Sequence, residues 1–184
     1  MDNVVFAFDL HNTLLRSNDA WIEAYMEHSA GAFRTKVINA VYRKQSRKKI
    51  AEEIGVSYDA VYRSYCRLVQ PTQDMLRLLN ALKAHFPLYL ISAASAVRVE
   101  NDLASWNGRS FFDVILTKEN FCKDSTEEWE QLLARQRVDL MIYIGNDVEE
   151  DVPVLPRVIP MICGDFLKKL DDLGLLIKRG EVKV

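Results

Sequence analysis

The sequence predicts an α/β fold. A Rossmann-like, open and mostly parallel five-stranded sheet carries helices on both faces, with a small α-helical cap subdomain inserted after the first strand. Three observations carry this reading. Short apolar runs alternate with amphipathic stretches of helical spacing. Residues 16–70 repeat only the helical pattern, over a span too long for an ordinary connection. The 184-residue chain suits one domain of ordinary size, or a core with an insert, and can bury a real core.

The elements follow in order. Val4, Val5, Phe6, Ala7 and Phe8 suit a buried central strand that ends at Asp9. Beyond a polar turn, Trp21, Ile22, Tyr25 and Met26 recur at helical spacing, with Ser17, Asn18 and Asp19 as candidate caps. Val37, Ile38, Val41 and Tyr42 repeat the pattern, as do Ile50 with Ile54 and Val61 with Tyr62 and Tyr65. These make three or four short helices before Pro71. A helix over 72–84 leads to a second strand, Leu88–Ile91, and one over 96–106 closes near Asn107 and Gly108. Val114–Leu116 is a short third strand, and Ser125 with Glu128 forms a capping-box pattern ahead of Trp129. Residues 140–144 make the fourth strand. Val158–Ile162 makes a fifth, where Pro160 belongs near the strand end or at the sheet edge. A last helix is expected over 166–173. The expected division is therefore a core of 1–15 and 71–184 with an insert of 16–70.

Composition narrows the function. A formal net charge of −2 excludes a uniformly basic nucleic-acid binder. The three cysteines show neither zinc spacing nor a disulfide framework, which points to a reducing compartment. Three histidines exclude a His-rich metal site. No run reaches membrane-spanning length, and the first residues carry acid where a signal peptide needs base, so a soluble cytoplasmic protein is expected.

In an open parallel sheet, ligands bind beyond the carboxyl ends of the strands. Asp9, His11, Asn12 and Thr13 follow the first strand, Ser92 and Ser95 the second, and Asn146, Asp147, Glu149, Glu150 and Asp151 the fourth. Lys118 or Lys123 joins them from the loop after the third. Each residue alone has an ordinary reading as a turn former, a helix cap or a solvated charge. Together they suit a divalent, oxygen-ligated cation with an anion beside it, and magnesium, which takes few carboxylates, several waters and a phosphate, fits.

These residues also form four motifs that resemble those of the haloacid dehalogenase-like (HAD) hydrolase superfamily, mostly magnesium-dependent phosphatases. An apolar strand runs into Asp9-Leu10-His11-Asn12-Thr13; a second ends in Ser92; Phe112-Asp113-Val114-Ile115 precedes Lys123; and Gly145-Asn146-Asp147 precedes Asp151. The resemblance implies that Asp9 attacks phosphorus and forms an aspartyl-phosphate, and that Thr13, Ser92, the backbone at Ala93 and Lys123 hold the phosphate. It further implies that Asp9, the His11 backbone carbonyl and Asp147 hold Mg2+, while Asp151 orients Lys123 or binds the ion through water. Asn146 and Asp147 both align as the leading residue of the last motif; Asp147 is preferred because an ionised ligand competes better for a hard cation.

His11 stands where family phosphatases usually carry a second Asp, the proton donor and water activator. Imidazole can perform both transfers near neutral pH. Dehalogenase-like or phosphonate-cleaving chemistry and a binding-only protein are the competing readings.

The insert adds charge. Residues 34–67 hold nine basic residues against three acids, a local +6 that leaves −8 elsewhere. As a cap, this field attracts a small phosphorylated metabolite. Alternatively, residues 51–63 resemble a helix-turn-helix, with Gly55 at the turn and Ser57 capping a helix whose Tyr58, Asp59, Tyr62 and Arg63 could face base edges. Residues 43–63 would then bind nucleic acid or a protein partner, although a plain two-helix corner uses the same Gly and cap. Both a monomer and a homodimer are compatible with the sequence.

Overall fold

A computed structural model describes residues 3–147 and 151–164. Glu149, Glu150 and the helix expected over 166–173 lie outside the described residues. Five strands form one sheet in the order β3-β2-β1-β4-β5: β1 Val4–Phe8, β2 Leu88–Ile91, β3 Val114–Leu116, β4 Leu140–Gly145 and β5 Val158–Ile162. Every pairing is parallel. The fully buried β1 sits at the centre, as its unbroken apolar run requires. Pro160 lies on the edge strand β5, where a missing N–H costs no ladder bond.

Strand alternation divides the core. Phe6, Phe8, Leu88 and Leu90 join one apolar cluster with Leu78, Leu79, Val99 and Leu103. These last come from α5 (Gln73–Lys83) and α6 (Ala96–Ala104). Val5, Ala7, Tyr89, Met141 and Tyr143 join a second cluster with Trp129, Leu132 and Leu133 of α7 (Thr126–Arg135). Helices therefore cover both faces.

Between β1 and α5 the chain forms four helices: α1 Ser17–Ser29, α2 Arg34–Tyr42, α3 Arg47–Ile54 and α4 Tyr58–Leu68. A bridge from Leu15 to Pro71 brings the start and end of this insert together. Its buried side chains, Trp21, Tyr25, Val37, Ile50, Val61 and Tyr65 among them, are continuous with the cluster under the sheet. Gly55 ends α3 in the left-handed region at φ 73°, and the Ser57 side chain caps α4. That corner is the helix-turn-helix-like segment. Tyr58 and Tyr62 are half-buried and stack on Trp21 at 6.3 and 6.1 Å, so intramolecular packing occupies two of the side chains that nucleic acid would need.

Local caps differ from expectation in two places. The N-cap position of α1 is Arg16, which makes no side-chain cap bond. Asn12, in the left-handed region at φ 62°, instead accepts from the Asn18 N–H and the Ser17 hydroxyl with its Oδ1. Ser125 accepts from the Glu128 N–H as a capping box requires, but the Glu128 carboxylate accepts from Cys122 N–H at 2.7 Å.

Asp113 ties α5, β2 and β3 together by accepting from Lys83 Nζ at 2.7 Å and from the Leu88 N–H at 2.9 Å. Burial pushes its carboxyl up, but these two donors outweigh burial and hold it below the usual carboxylate range. Folding thus favours the ionised form. The stabilisation is present above the unfolded pKa and is lost as pH falls through the folded one. Asp113→Asn is expected to lower Tm by a few degrees at pH 7, with the gap closing once pH falls well below the ordinary Asp value of about 3.9; a gap that persists in acid melts contradicts this.

Candidate active site

The chain runs from β1 through β2 to β3 on one side of the sheet, then crosses to β4 on the other. The carboxyl ends of β1 and β4 therefore flank the topological switch point, where such sheets bind ligands. Asp9 follows β1 there and is 7% exposed. Its N–H donates to the Ile144 carbonyl at 2.9 Å, which continues the β1–β4 ladder into the site. The period of two places Asp9 on the Val5 and Ala7 face, in phase with Tyr143, the register partner of Ala7.

Lys123 reaches this point from the loop before α7. Its Nζ donates to Asp9 Oδ1 at 2.7 Å, to the Tyr143 hydroxyl at 2.7 Å and to Asp151 Oδ1 at 3.0 Å. All three ammonium hydrogens are used. Tyr143 in turn donates to Asp151 Oδ2 at 3.0 Å, closing a ring of three side chains. The Trp129 indole N–H holds the Lys123 carbonyl at 2.7 Å, which fixes the backbone from which the ammonium extends. Burial pushes the Asp9 carboxyl above the usual range, opposed by Lys123. Burial also pushes the Tyr143 phenol up, reinforced by Asp9 and Asp151, so it stays protonated.

Thr13 joins the other oxygen of Asp9 to the turn after β4. Its hydroxyl lies 3.3 Å from Asp9 Oδ2 and 3.2 Å from Asn146 Oδ1. Asn146 thus stands at the site next to the Asp9 carboxylate, whereas the Asp147 side chain has no hydrogen bond or ion pair among the described residues. Ser92 follows β2, is buried, and accepts from the Ala94 N–H at 3.2 Å, leaving its own O–H to donate; Ala93 beside it is exposed. Lys118 is exposed, and its N–H donates to Ala94 O.

His11 is half-buried and turned toward α6. Its Nε2 lies 2.7 Å from Asp102 Oδ2, an acid that the sequence analysis did not single out. Tyr143 and Trp129 were missed too, since both read as core residues. A buried tyrosine in a strand has a hydroxyl that needs a partner, and that was the available signal.

No three acidic or histidine side chains among the described residues gather as a metal cluster. The facing donors are instead oxygens of one carboxylate and one amide, Asp9 and Asn146, bridged by Thr13. Mg2+ takes one or two carboxylates and fills its octahedron with waters and substrate phosphate. The donor set fits such an ion, and two carboxylates, Asp9 and Asp151, share the single ammonium of Lys123.

No protein-family model and no curated protein matches the sequence. Solved structures do match. A hydrolase from Streptococcus pneumoniae is 14% identical with a TM-score of 0.66, over 93% of this chain and 100% of that one. YfnB of Bacillus subtilis, classed with the HAD hydrolases and bound to magnesium, is 16% identical with a TM-score of 0.57, over 97% and 100%. The L-2-haloacid dehalogenase of Xanthobacter autotrophicus, with chloropropionic acid covalently bound, is 14% identical with a TM-score of 0.58, over 79% and 70%. The chain therefore has the fold of HAD-superfamily hydrolases, with a helical cap between the first and second strands. No helix among the described residues is long and apolar enough to cross a membrane.

The ring around Lys123 makes a direct prediction. Tyr143→Phe strips an acceptor from a buried ammonium and a donor from Asp151. It is expected to lower the unfolding free energy by about 1–3 kcal/mol in urea titrations; no measurable loss contradicts the assignment of the hydroxyl.

Proposed function

We propose that this chain is a magnesium-dependent phosphomonoester hydrolase that acts on a small phosphorylated metabolite in the cytoplasm. The observation that carries the reading is the buried Lys123 ammonium shared by Asp9 and Asp151 at the switch point of the sheet. A carboxylate beside a fixed cation, at the place where this fold binds ligands, suits attack on an electrophile whose charge must be neutralised. The covalent chloropropionate of the dehalogenase and the magnesium of YfnB, both of the same fold, are consistent with it.

In this mechanism an Asp9 oxygen attacks phosphorus, the P–O bond to the leaving group breaks, and His11, entering the step as imidazolium, gives the departing oxygen its Nδ1 proton. Water then attacks the aspartyl-phosphate, His11 takes the water's proton, and phosphate leaves with the Asp9 carboxylate restored. Since His11 Nε2 is committed to Asp102, Nδ1 is the nitrogen that exchanges the proton. The Ser92 hydroxyl, the Ala93 N–H and Thr13 bind the phosphoryl oxygens, and Lys123 joins them with the hydrogen that Asp9 Oδ1 releases as it attacks. Asp151 and Tyr143 hold Lys123 in position. Mg2+, when bound, neutralises phosphoryl charge as a Lewis acid. Asp9, the His11 carbonyl and Asn146 would hold it; Asn146 takes the place expected for Asp147, because it is the one within reach of Thr13.

In the same reading, residues 16–70 act as a cap on a core of 1–15 and 71–184. The basic residues of the insert draw in an anionic substrate. Part of that charge is already answered within the cap, where Arg67 pairs with Glu27 and Arg34 with Glu23.

A panel of phosphomonoesters assayed with and without Mg2+ tests the proposal. Magnesium-dependent phosphate release, reduced at least about 10³-fold by Asp9→Asn, is expected. Halide release from 2-haloacids without magnesium, or phosphate release that survives Asp9→Asn, contradicts it.

A further inference from the structure

We infer that Asp102, on α6, is the positioning residue for the His11 imidazole and fastens it to the cap. The inference rests on the proton-shuttle reading of His11 and extends it to a residue outside the four motifs. Asp102 is fully buried, between Val99 and Leu103 on the apolar side of α6. One oxygen takes the whole load. Oδ2 lies 2.7 Å from His11 Nε2, 3.1 Å from the Tyr65 hydroxyl and 3.6 Å from Arg98 Nε. Oδ1 has no hydrogen-bond partner among the described residues.

Burying a carboxylate with half its capacity unused costs several kcal/mol, and a leucine at this helix position would pack without that cost. A purely architectural role does not explain the acid. A contact with an imidazole does. An accepting carboxylate keeps Nε2 protonated and fixes the ring plane, leaving Nδ1 as the nitrogen that gives and takes the exchanged proton, as carboxylates do for metal-bound and catalytic histidines.

The same oxygen reaches the cap. Tyr65 belongs to α4, is fully buried, and stacks on Trp21 of α1 with ring centroids 4.2 Å apart. Its hydroxyl donates to Asp102, and the Arg98 guanidinium sits 5.7 Å above its ring. The loop after β1, the helix after β2 and cap helix α4 therefore meet at one carboxylate, with α1 stacked behind Tyr65. The oxygen that holds the imidazole also anchors α4 of the cap.

The test reads the imidazole directly and needs no turnover. In ¹⁵N-resolved NMR of the free protein, at a pH where the ring is neutral, His11 is expected as the Nε2–H tautomer. Asp102→Leu, which keeps side-chain volume, is expected to abolish that tautomer preference, and Tyr65→Phe to preserve it. An unchanged His11 signature in Asp102→Leu overturns the inference. So does a change in Tyr65→Phe as large as that in Asp102→Leu, since Asp102 would then act on the cap and not on the ring. Kinetics give the second readout. Asp102→Asn is expected to lower kcat about 10²-fold with KM changed less than about 3-fold, Asp102→Glu to recover part of it, and Asp102→Asn to add nothing in a His11→Ala background. Additive losses, or a fall confined to KM, overturn it. Should the unsubstituted protein release no phosphate, the phosphatase reading fails, while the NMR result still decides for or against Asp102.

Discussion

An ammonium group that is 5% exposed must find compensation for the water it has lost, and Lys123 finds it in three oxygens from three parts of the chain. Asp9 comes from the end of β1, Tyr143 from within β4, and Asp151 from beyond the β4 loop. Asp9 is far in sequence from Tyr143 and Asp151, and the sheet is what brings it to them. The parallel β1–β4 register, which sets Ala7 beside Tyr143, is therefore the constraint that assembles the site. The ion pair in turn requires that register, because a slip of one residue would put Asp9 on the opposite face. Fold and site depend on each other through one charge.

The two oxygens of Asp9 face different neighbours. Oδ1 is held by Lys123, while Oδ2 reaches through Thr13 toward Asn146. The proposed mechanism places phosphoryl transfer on the first side and the metal ion on the second. His11, two residues on, is drawn in another direction altogether, onto α6 and the cap. The loop after β1 can serve both because it is tightly wound. Leu14 and Leu15 N–H groups both donate to the Leu10 carbonyl, and the Asn12 N–H returns to Leu15. Asn12, freed from the site, fastens the start of the cap instead.

Much of this was legible in the sequence, for reasons that differ by element. The five strands and the run of short helices follow from apolar periodicity, and the edge position of β5 from Pro160. Asp9 and Thr13 were visible as polar residues following an apolar strand, whereas Lys123 and Asp151 stood out through their spacing in the HAD-like motifs. Tyr143, Trp129 and Tyr65 were hidden because they obey that pattern: each sits on a buried face, and only the hydroxyl or indole N–H does something else. Asp102 left a trace, an acid in phase with Val99 and Leu103 on a helix whose other face is polar. The choice between Asn146 and Asp147 was beyond sequence, since adjacent residues in a turn point in different directions.

Asp9 and Lys123 are expected to be energetically coupled in the folded core. A double-mutant cycle of urea unfolding at pH 8, using Asp9→Asn, Lys123→Met and the pair, measures that coupling. Lys123→Met alone should cost about 3–5 kcal/mol by stranding two carboxylates. Adding Asp9→Asn should recover part of this loss, giving a coupling energy above about 1 kcal/mol. Strictly additive effects would mean that the two groups do not sense one another, and the account of the site would fail.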